Sequence, residues 1–139
     1  LLTWMQEHKE PVFVVATAND IEALPPELLR KGRFDEIFFV DLPGSKARES
    51  IFHIHIGRRG MVGDEFDLDR LVDASDGYSG AEIEQAVVSA KHEARARGKR
   101  VDTKAIERAL AGSPPLSVMM AERIDELRAW SRGRCVPAE

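Results

Sequence analysis

Apolar and polar positions follow two rhythms along the chain, and these meet at Pro43-Gly44. In the first part, Val12-Phe13-Val14-Val15-Ala16 is an unbroken apolar run rich in β-branched residues, bounded by Pro11 and by Asn19-Asp20. Such a run predicts a strand buried on both faces, the parallel-sheet pattern. Ile37-Phe38-Phe39-Val40, closed by Asp41-Leu42-Pro43-Gly44, predicts a second strand. Between them, Pro25-Pro26-Glu27-Leu28-Leu29-Arg30 predicts a short helix, with proline where an early amide has no partner and Gly32 as the stop. Two buried strands joined by a short helical crossover indicate an α/β layer.

Beyond Pro43-Gly44 the rhythm is helical. Ser45 is placed to cap a helix to about residue 56, with Ala47, Ile51 and Ile54 on one face and Gly57-Arg58-Arg59-Gly60 at its end. Asp67 starts a short helix carrying Leu68, Leu71 and Val72. Ser79 followed by Glu82 is a capping box. It opens the longest predicted helix, with Ile83, Ala86, Val87, Ala90 and Ala94 at helical spacing and Gly98 as its stop. Asp102 caps a further helix using Ala105, Ile106, Ala109 and Leu110, with Gly112 after it. Ser113-Pro114-Pro115 breaks the pattern, and Ser117 begins a last helix with Met120, Ile124, Leu127 and Trp130. There is no repeat and no low-complexity stretch.

Composition narrows the classes. The 139 residues are 43% hydrophobic and 32% charged, a balance that suits a packed core. The longest apolar run, five residues, is far short of the ~20 a membrane helix needs. A single cysteine, Cys135, allows no internal disulfide and no thiolate metal cluster. Net charge is −4, which gives no bulk attraction for nucleic acid. Residues 1–45 carry eight acids and four bases, and the remainder is neutral. Within that remainder, residues 91–100 form a basic stretch, read most simply as cations at the negative end of a helix.

Several arrangements that bear chemistry are absent or incomplete. The phosphate-cradling pattern G-x-x-x-x-G-K-[ST] does not occur; the one Gly-Lys pair, Gly98-Lys99, is followed by Arg100. Phe38-Phe39-Val40-Asp41 imitates a strand ending in a magnesium-holding aspartate, but Leu42 stands where a water-polarising glutamate belongs. His53 and His55, two apart, point away from each other on a helix and cannot share a metal. Asn19 lies just past a predicted strand, where an amide can orient a water or a phosphate oxygen, although Asn-Asp after a strand is more often turn chemistry. Arg30 and Arg33 flank a glycine turn, either as solvated surface charges or as guanidinium groups presented to phosphoryl charge on a neighbour. Ser79-Gly80-Ala81 offers helix-start amides to a ligand, or is simply the cap.

In combination these segments resemble the AAA family of P-loop ATPases. Residues 11–20, followed by Leu24 through Glu36, resemble the stretch from the sensor-1 strand to the arginine-finger helix, and residues 37–43 the last core strand. Arg48-Glu49-Ser50-Ile51-Phe52-His53-Ile54-His55 is similar to the first lid helix, and Gly77-Tyr78-Ser79-Gly80-Ala81-Glu82-Ile83 to the lid segment over adenine. The tail from Pro115 to Arg134 resembles the ending of the bacterial and plastid branch first described as a hypothetical chloroplast reading frame.

The resemblance implies an α/β fold class: the C-terminal part of an AAA core with two strands (1–43), an all-helical lid (44–112) and a C-terminal linker and helix (113–139), mostly helical overall. It implies Asn19 as sensor 1, Arg30 and Arg33 as trans-acting arginine fingers, and Ile51, His55, Gly80 and Ala81 as nucleotide contacts. Ala81 stands where some related ATPases carry a sensor-2 arginine, Ala18 where Thr is usual, and Lys31 where Pro is usual. The chain opens at Leu1 without methionine, so it is expected to be a piece of a longer protein whose phosphate loop, magnesium aspartate and catalytic glutamate precede it. ATP and Mg are expected in that parent and not tightly bound here, with self-association into a hexameric ring, an unidentified protein substrate, and a cytoplasmic or stromal location. Nucleic acid and membrane are not expected partners. The alternative is a non-enzymatic helical interaction module with a nucleic-acid contact at 91–100. In the family's sheet order the strands at 12–16 and 37–40 flank a central strand absent from this sequence. They are therefore expected to pair with each other, to pair across molecules, or to leave a gap, with the lid packed regardless.

Overall fold

The computed structural model describes residues 2–8, 10–21, 23–28 and 34–138, with backbone alone for Leu2, Met5 and Gln6. The end of the helix expected at 25–30, its stop at Gly32, and both Arg30 and Arg33 lie outside the described residues. Residues 25–28 form a turn closed by the Leu28 amide donating to the Pro25 carbonyl at 2.9 Å.

The chain divides into two compact units, one of residues 1–39 and 133–139 and one of Val40–Arg132. The first holds a helix, α1 (Leu2–Glu7), and a parallel pair of short strands, β1 (Phe38–Phe39) and β2 (Val136–Pro137). The Val136 amide donates to Ile37 at 2.9 Å and the Ala138 amide to Phe39 at 3.1 Å. Of the two expected strands, only the second therefore forms, and its partner is neither of those anticipated. Residues 12–16 make no ladder, and Phe13 is 91% and Val15 76% exposed. A strand is stable only when neighbours take its backbone groups and cover its faces. Composition records the preference of residues 12–16 for such a place, but no partner for them stands among the described residues.

The second unit is helical, and its core explains why. Here α2 (Ser45–Arg58), α3 (Leu68–Ala74), α4 (Gly80–Ala96) and α5 (Thr103–Ala111) bury one cluster built on Phe52, Ile56, Leu71, Ile83, Val87, Ile106 and Leu110. A 3-10 turn at Gly63–Glu65 links α2 to α3. Helix α4 packs on α5 and α2, and α3 bridges α2 and α5. Asp67 caps α3 by accepting from the Arg70 amide at 3.2 Å, and Asp102 caps α5 by accepting from the Ala105 amide at 2.8 Å. Each cap satisfies an amide that a helix start leaves free. Burial along α4 falls on Ile83, Ala86, Val87, Ala90 and Ala94, the stripe its spacing predicts.

Helix α2 departs from expectation twice. Its N-cap is Gly44, which is extended and has no side chain to cap with; Ser45 is already helical. Its buried face is Arg48, Phe52 and Ile56, not Ala47, Ile51 and Ile54; Ala47 is exposed, Ile54 is 48% exposed, and Ile51 is half-buried at the core's margin. The cause is Arg48, which the pattern counts as polar. Its stem lies inside, while its guanidinium donates to the Pro43 carbonyl at 3.0 Å and the Val72 carbonyl at 3.3 Å, with Asp76 at 3.3 Å. The Val72 carbonyl belongs to the last turn of α3, so an arginine from α2 closes that helix end.

Tyr78 ties the loop before α4 to the end of α5, its hydroxyl shared between the Leu110 and Ser113 carbonyls at 2.8 Å each. Burial pushes this phenol upward, with the Glu82 charge adding to it. The last predicted helix is divided into α6 (Leu116–Met119) and α7 (Ala121–Ser131), with Met120 out of helical geometry between them. Ser117 lies within α6 rather than at a helix start. Among the described residues no helix is long and apolar enough to cross a membrane.

Candidate functional site

The start of α4 is built by its capping box. Glu82 Oε2 accepts from the Ser79 amide at 2.7 Å and from the Ser79 hydroxyl at 2.8 Å, and Ser79 Oγ accepts from the Glu82 amide at 3.4 Å. This pair satisfies the third helical amide and leaves those of Gly80 and Ala81 without an acceptor among the described residues. Gly80 carries no fold requirement of its own. A Cβ there would meet Ile51 Cδ1 at 3.4 Å, an ordinary contact, and its φ is not positive. Its bare Cα thus leaves the first turn of α4 open beside Ile51.

One turn further along, a histidine, an arginine and a glutamate meet. His55 on α2 is largely covered, its side chain 13% exposed. The Arg59 guanidinium reaches back to it, with Nη1 3.2 Å from His55 Nδ1 and donating to the His55 carbonyl at 3.0 Å. Glu84 on α4 accepts from Arg59 Nη2 at 2.8 Å, and the same oxygen lies 3.4 Å from His55 Nδ1. The Arg59 hydrogen bond holds the Glu84 carboxyl below its usual range; partial burial opposes this, and the charges on His55, Arg59 and Arg58 assist.

Of the seven expected site residues, Ile51 lies beside Gly80 where α2 crosses the start of α4, Ala81 follows Gly80 in the chain, and His55 stands one turn further along α2 against Glu84. Arg59 and Glu84 escape the sequence reading: Arg59 reads only as part of the helix-ending Gly57-Arg58-Arg59-Gly60, and Glu84 as a solvated charge on a helix face. The available signal was Arg59 four residues after His55, the spacing at which helix side chains meet. Asn19 is exposed in the irregular segment after residue 16, in the other unit. Arg30 and Arg33 lie outside the described residues.

The remaining candidates have other employment. Asp41 takes the Arg128 guanidinium, with Nε 2.9 Å from Oδ2 and Nη2 3.0 Å from Oδ1. Arg128 accordingly holds the Asp41 carboxyl below the ordinary carboxylate range. Among the described residues no group of three His, Cys, Asp or Glu side chains is placed to hold a metal ion. Basic residues of the 91–100 stretch, Lys91, Arg95, Lys99 and Arg100, rim an open concavity of about 500 Å³ floored by Met61, Phe66 and Val101. Arg100 is spent on Glu65 at 3.1 Å, and the Lys91 ammonium on the Arg59 carbonyl at 2.6 Å.

The arrangement suits a flat, weakly charged ligand: open amides, an aliphatic edge, and an imidazole braced by two charges. Its donors suit a base and a sugar. Nothing in it suits a triphosphate or a magnesium ion, which need clustered amides, a lysine and carboxylate oxygens.

Residues 1–42 match the model of the ATPase family associated with various cellular activities (AAA), and residues 65–108 match the AAA+ lid domain. Together the two models account for more than half of the chain. The AAA domain-containing protein ycf46 of Pyropia yezoensis is 46% identical over 131 residues, covering 94% of this chain and 27% of the relative. Its counterpart in Guillardia theta is 45% identical over 131 residues, covering 94% and 26%. A proteasome-activating nucleotidase of Aeropyrum pernix is 37% identical over 105 residues, covering 72% and 25%. The chain thus spans about a quarter of the length of these relatives.

Proposed function

The chain belongs to the AAA family of ATPases, and from that premise we propose that it is the nucleotide-closing and trans-acting part of an ATP-hydrolysing ring protein. In this reading residues 1–43 complete the α/β core, 44–112 are the lid, and 113–139 a linker and terminal helix. Ile51, His55, Gly80 and Ala81 hold the base and ribose. Asn19 orients the attacking water, and Arg30 and Arg33 reach the nucleotide of the neighbouring subunit. The observation that carries the reading is the crossing of α2 with α4, where Ile51 lies beside Gly80, His55 is braced by Arg59 and Glu84, and the Gly80 and Ala81 amides have no acceptor among the described residues.

ATP and Mg belong to the whole assembly. The residues here fit the base and the ribose; the triphosphate and its metal require a glycine-rich loop, a lysine and a hydroxyl that the 139 residues do not contain. Assembly is a closed ring, in which each subunit's arginines complete the next site. The ring acts on a protein substrate, in the cytoplasm or the plastid stroma.

Arg33→Ala in the assembled ring tests the trans role. An arginine finger is worth about 10³–10⁵ in rate in phosphoryl transfer, so turnover should nearly vanish while nucleotide binding and ring size stay as they were. Full turnover by a correctly assembled mutant ring would refute it.

A further inference from the structure

We infer that Arg59, anchored by Glu84, fixes His55 in the tautomer whose proton is on Nε2, so that this residue meets its ligand only as a hydrogen-bond donor. The argument begins from an asymmetry in the trio. Arginine has five N–H donors and no acceptor. Arg59 Nη1, 3.2 Å from His55 Nδ1, can bond to that nitrogen only if the nitrogen offers a lone pair. A proton on Nδ1 would put two N–H groups against each other. The neutral ring therefore carries its hydrogen on Nε2.

Glu84 alone would favour the opposite state, since its Oε1 lies 3.4 Å from the same Nδ1 and would accept a proton's hydrogen bond. The distances decide between them. Glu84 Oε1 is 2.8 Å from Arg59 Nη2, so its shorter contact is with the arginine. Arg59, the C-cap of α2, is further held by that helix's last turn, through Nη1 to the His55 carbonyl at 3.0 Å. Two contacts independent of the ring thus hold the guanidinium, and the imidazole conforms to it. Arg59 and Glu84 are positioning residues, acting through His55.

What His55 recognises follows from its tautomer. An Nε2–H reads a lone pair: a purine ring nitrogen, a ribose hydroxyl or the ribose ring oxygen. It rejects an exocyclic amine, which would leave two donors facing each other. This part of the inference rests on the nucleotide reading above; the tautomer itself rests on the geometry of the free chain.

The experiment separates the two. Long-range ¹⁵N–¹H correlation spectra of the 139-residue chain, recorded over a pH series until the His55 ring signals stop changing, report which nitrogen of the neutral ring bears the proton. Wild type should show His55 protonated on Nε2, and Arg59→Leu should move it towards Nδ1 protonation facing Glu84. Nδ1 protonation in the wild type overturns the inference without any variant. So does an unchanged tautomer in an Arg59→Leu chain whose Ile83 and Val87 methyl signals show the core intact. Millimolar ADP is then added and read at the Gly80 and Ala81 amides. Arg59→Leu and His55→Phe should each weaken ADP binding about three- to tenfold, what one neutral hydrogen bond is worth, and the double variant no further. Unaltered affinity in Arg59→Leu would overturn the donor role. Amides that ignore ADP even far above about 1 mM would instead sink the nucleotide reading and the proposed ligand with it, leaving the tautomer assignment to stand on its own spectrum.

Discussion

Two glycines three residues apart show how differently the same residue type is held. Gly77 has φ +77, and a Cβ on it would collide with the Ser117 hydroxyl, whose own amide donates to the Gly77 carbonyl at 3.3 Å. Both strain and collision oppose any side chain there, so Gly77→Ala should cost about 1–3 kcal/mol, read as a lower urea midpoint. Adding Ser117→Gly should recover part of the loss by removing the collision but not the strain. Gly80 has neither constraint, and alanine is the better helix former. Gly80→Ala should leave stability unchanged or raise it by about 0.4–1 kcal/mol. In the nucleotide-binding assembly the same change should weaken affinity, because a methyl would cover the open first turn. A large stability loss at Gly80, or none at Gly77, would mean the two roles are reversed.

At the scale of elements, legibility follows how locally each element is specified. Helices α3, α4 and α5 carry caps and apolar periods that agree, and each forms where its sequence says. The face of α2 is hidden because Arg48 buries its stem and spends its charge on carbonyls from Pro43 and Val72, partners that adjacent sequence does not announce. Residues 12–16 mislead for a related reason: a strand is a property of a pair, and the run describes only one member. Strand β2 gives no signal at all, being Val136 and Pro137 in a polar tail. The site divides likewise. Ile51, His55, Gly80 and Ala81 are candidates through family resemblance alone, whereas Arg59 and Glu84 join them only once two helices cross.

Helix α7 buries no residue fully, so its attachment leans on the bidentate pair of Arg128 with Asp41. Both side chains are more than a third exposed, and solvent screening limits the pair to about 0.2–1 kcal/mol. The folded carboxyl titrates below its unfolded value. Its contribution is therefore complete above about pH 4 and drains away as pH falls through the lower, folded value. Arg128→Gln should shift the urea midpoint at pH 7 and in low salt, and the shift should shrink at pH 2. An undiminished shift at pH 2 would assign the loss to packing.

For the molecule as a whole, the proposed activity needs groups that these residues do not contain. Calorimetry of the chain with ATP and magnesium should show binding no tighter than millimolar, about −4 kcal/mol, and no phosphate release. Micromolar affinity, or release abolished by Arg33→Ala, would show that the chemistry is placed wrongly. The ladder between β1 and β2 carries a different lesson. Two hydrogen bonds there join segments roughly a hundred residues apart in sequence. Closing so long a span costs considerable chain entropy, and two rungs with half-exposed side chains return little against it. The chain should thus unzip in stages, its ends parting long before the lid core melts. Amide hydrogens of Val136 and Ala138 would trade with solvent deuterium far sooner than those of Val87 and Ala90, so that one polypeptide keeps two clocks.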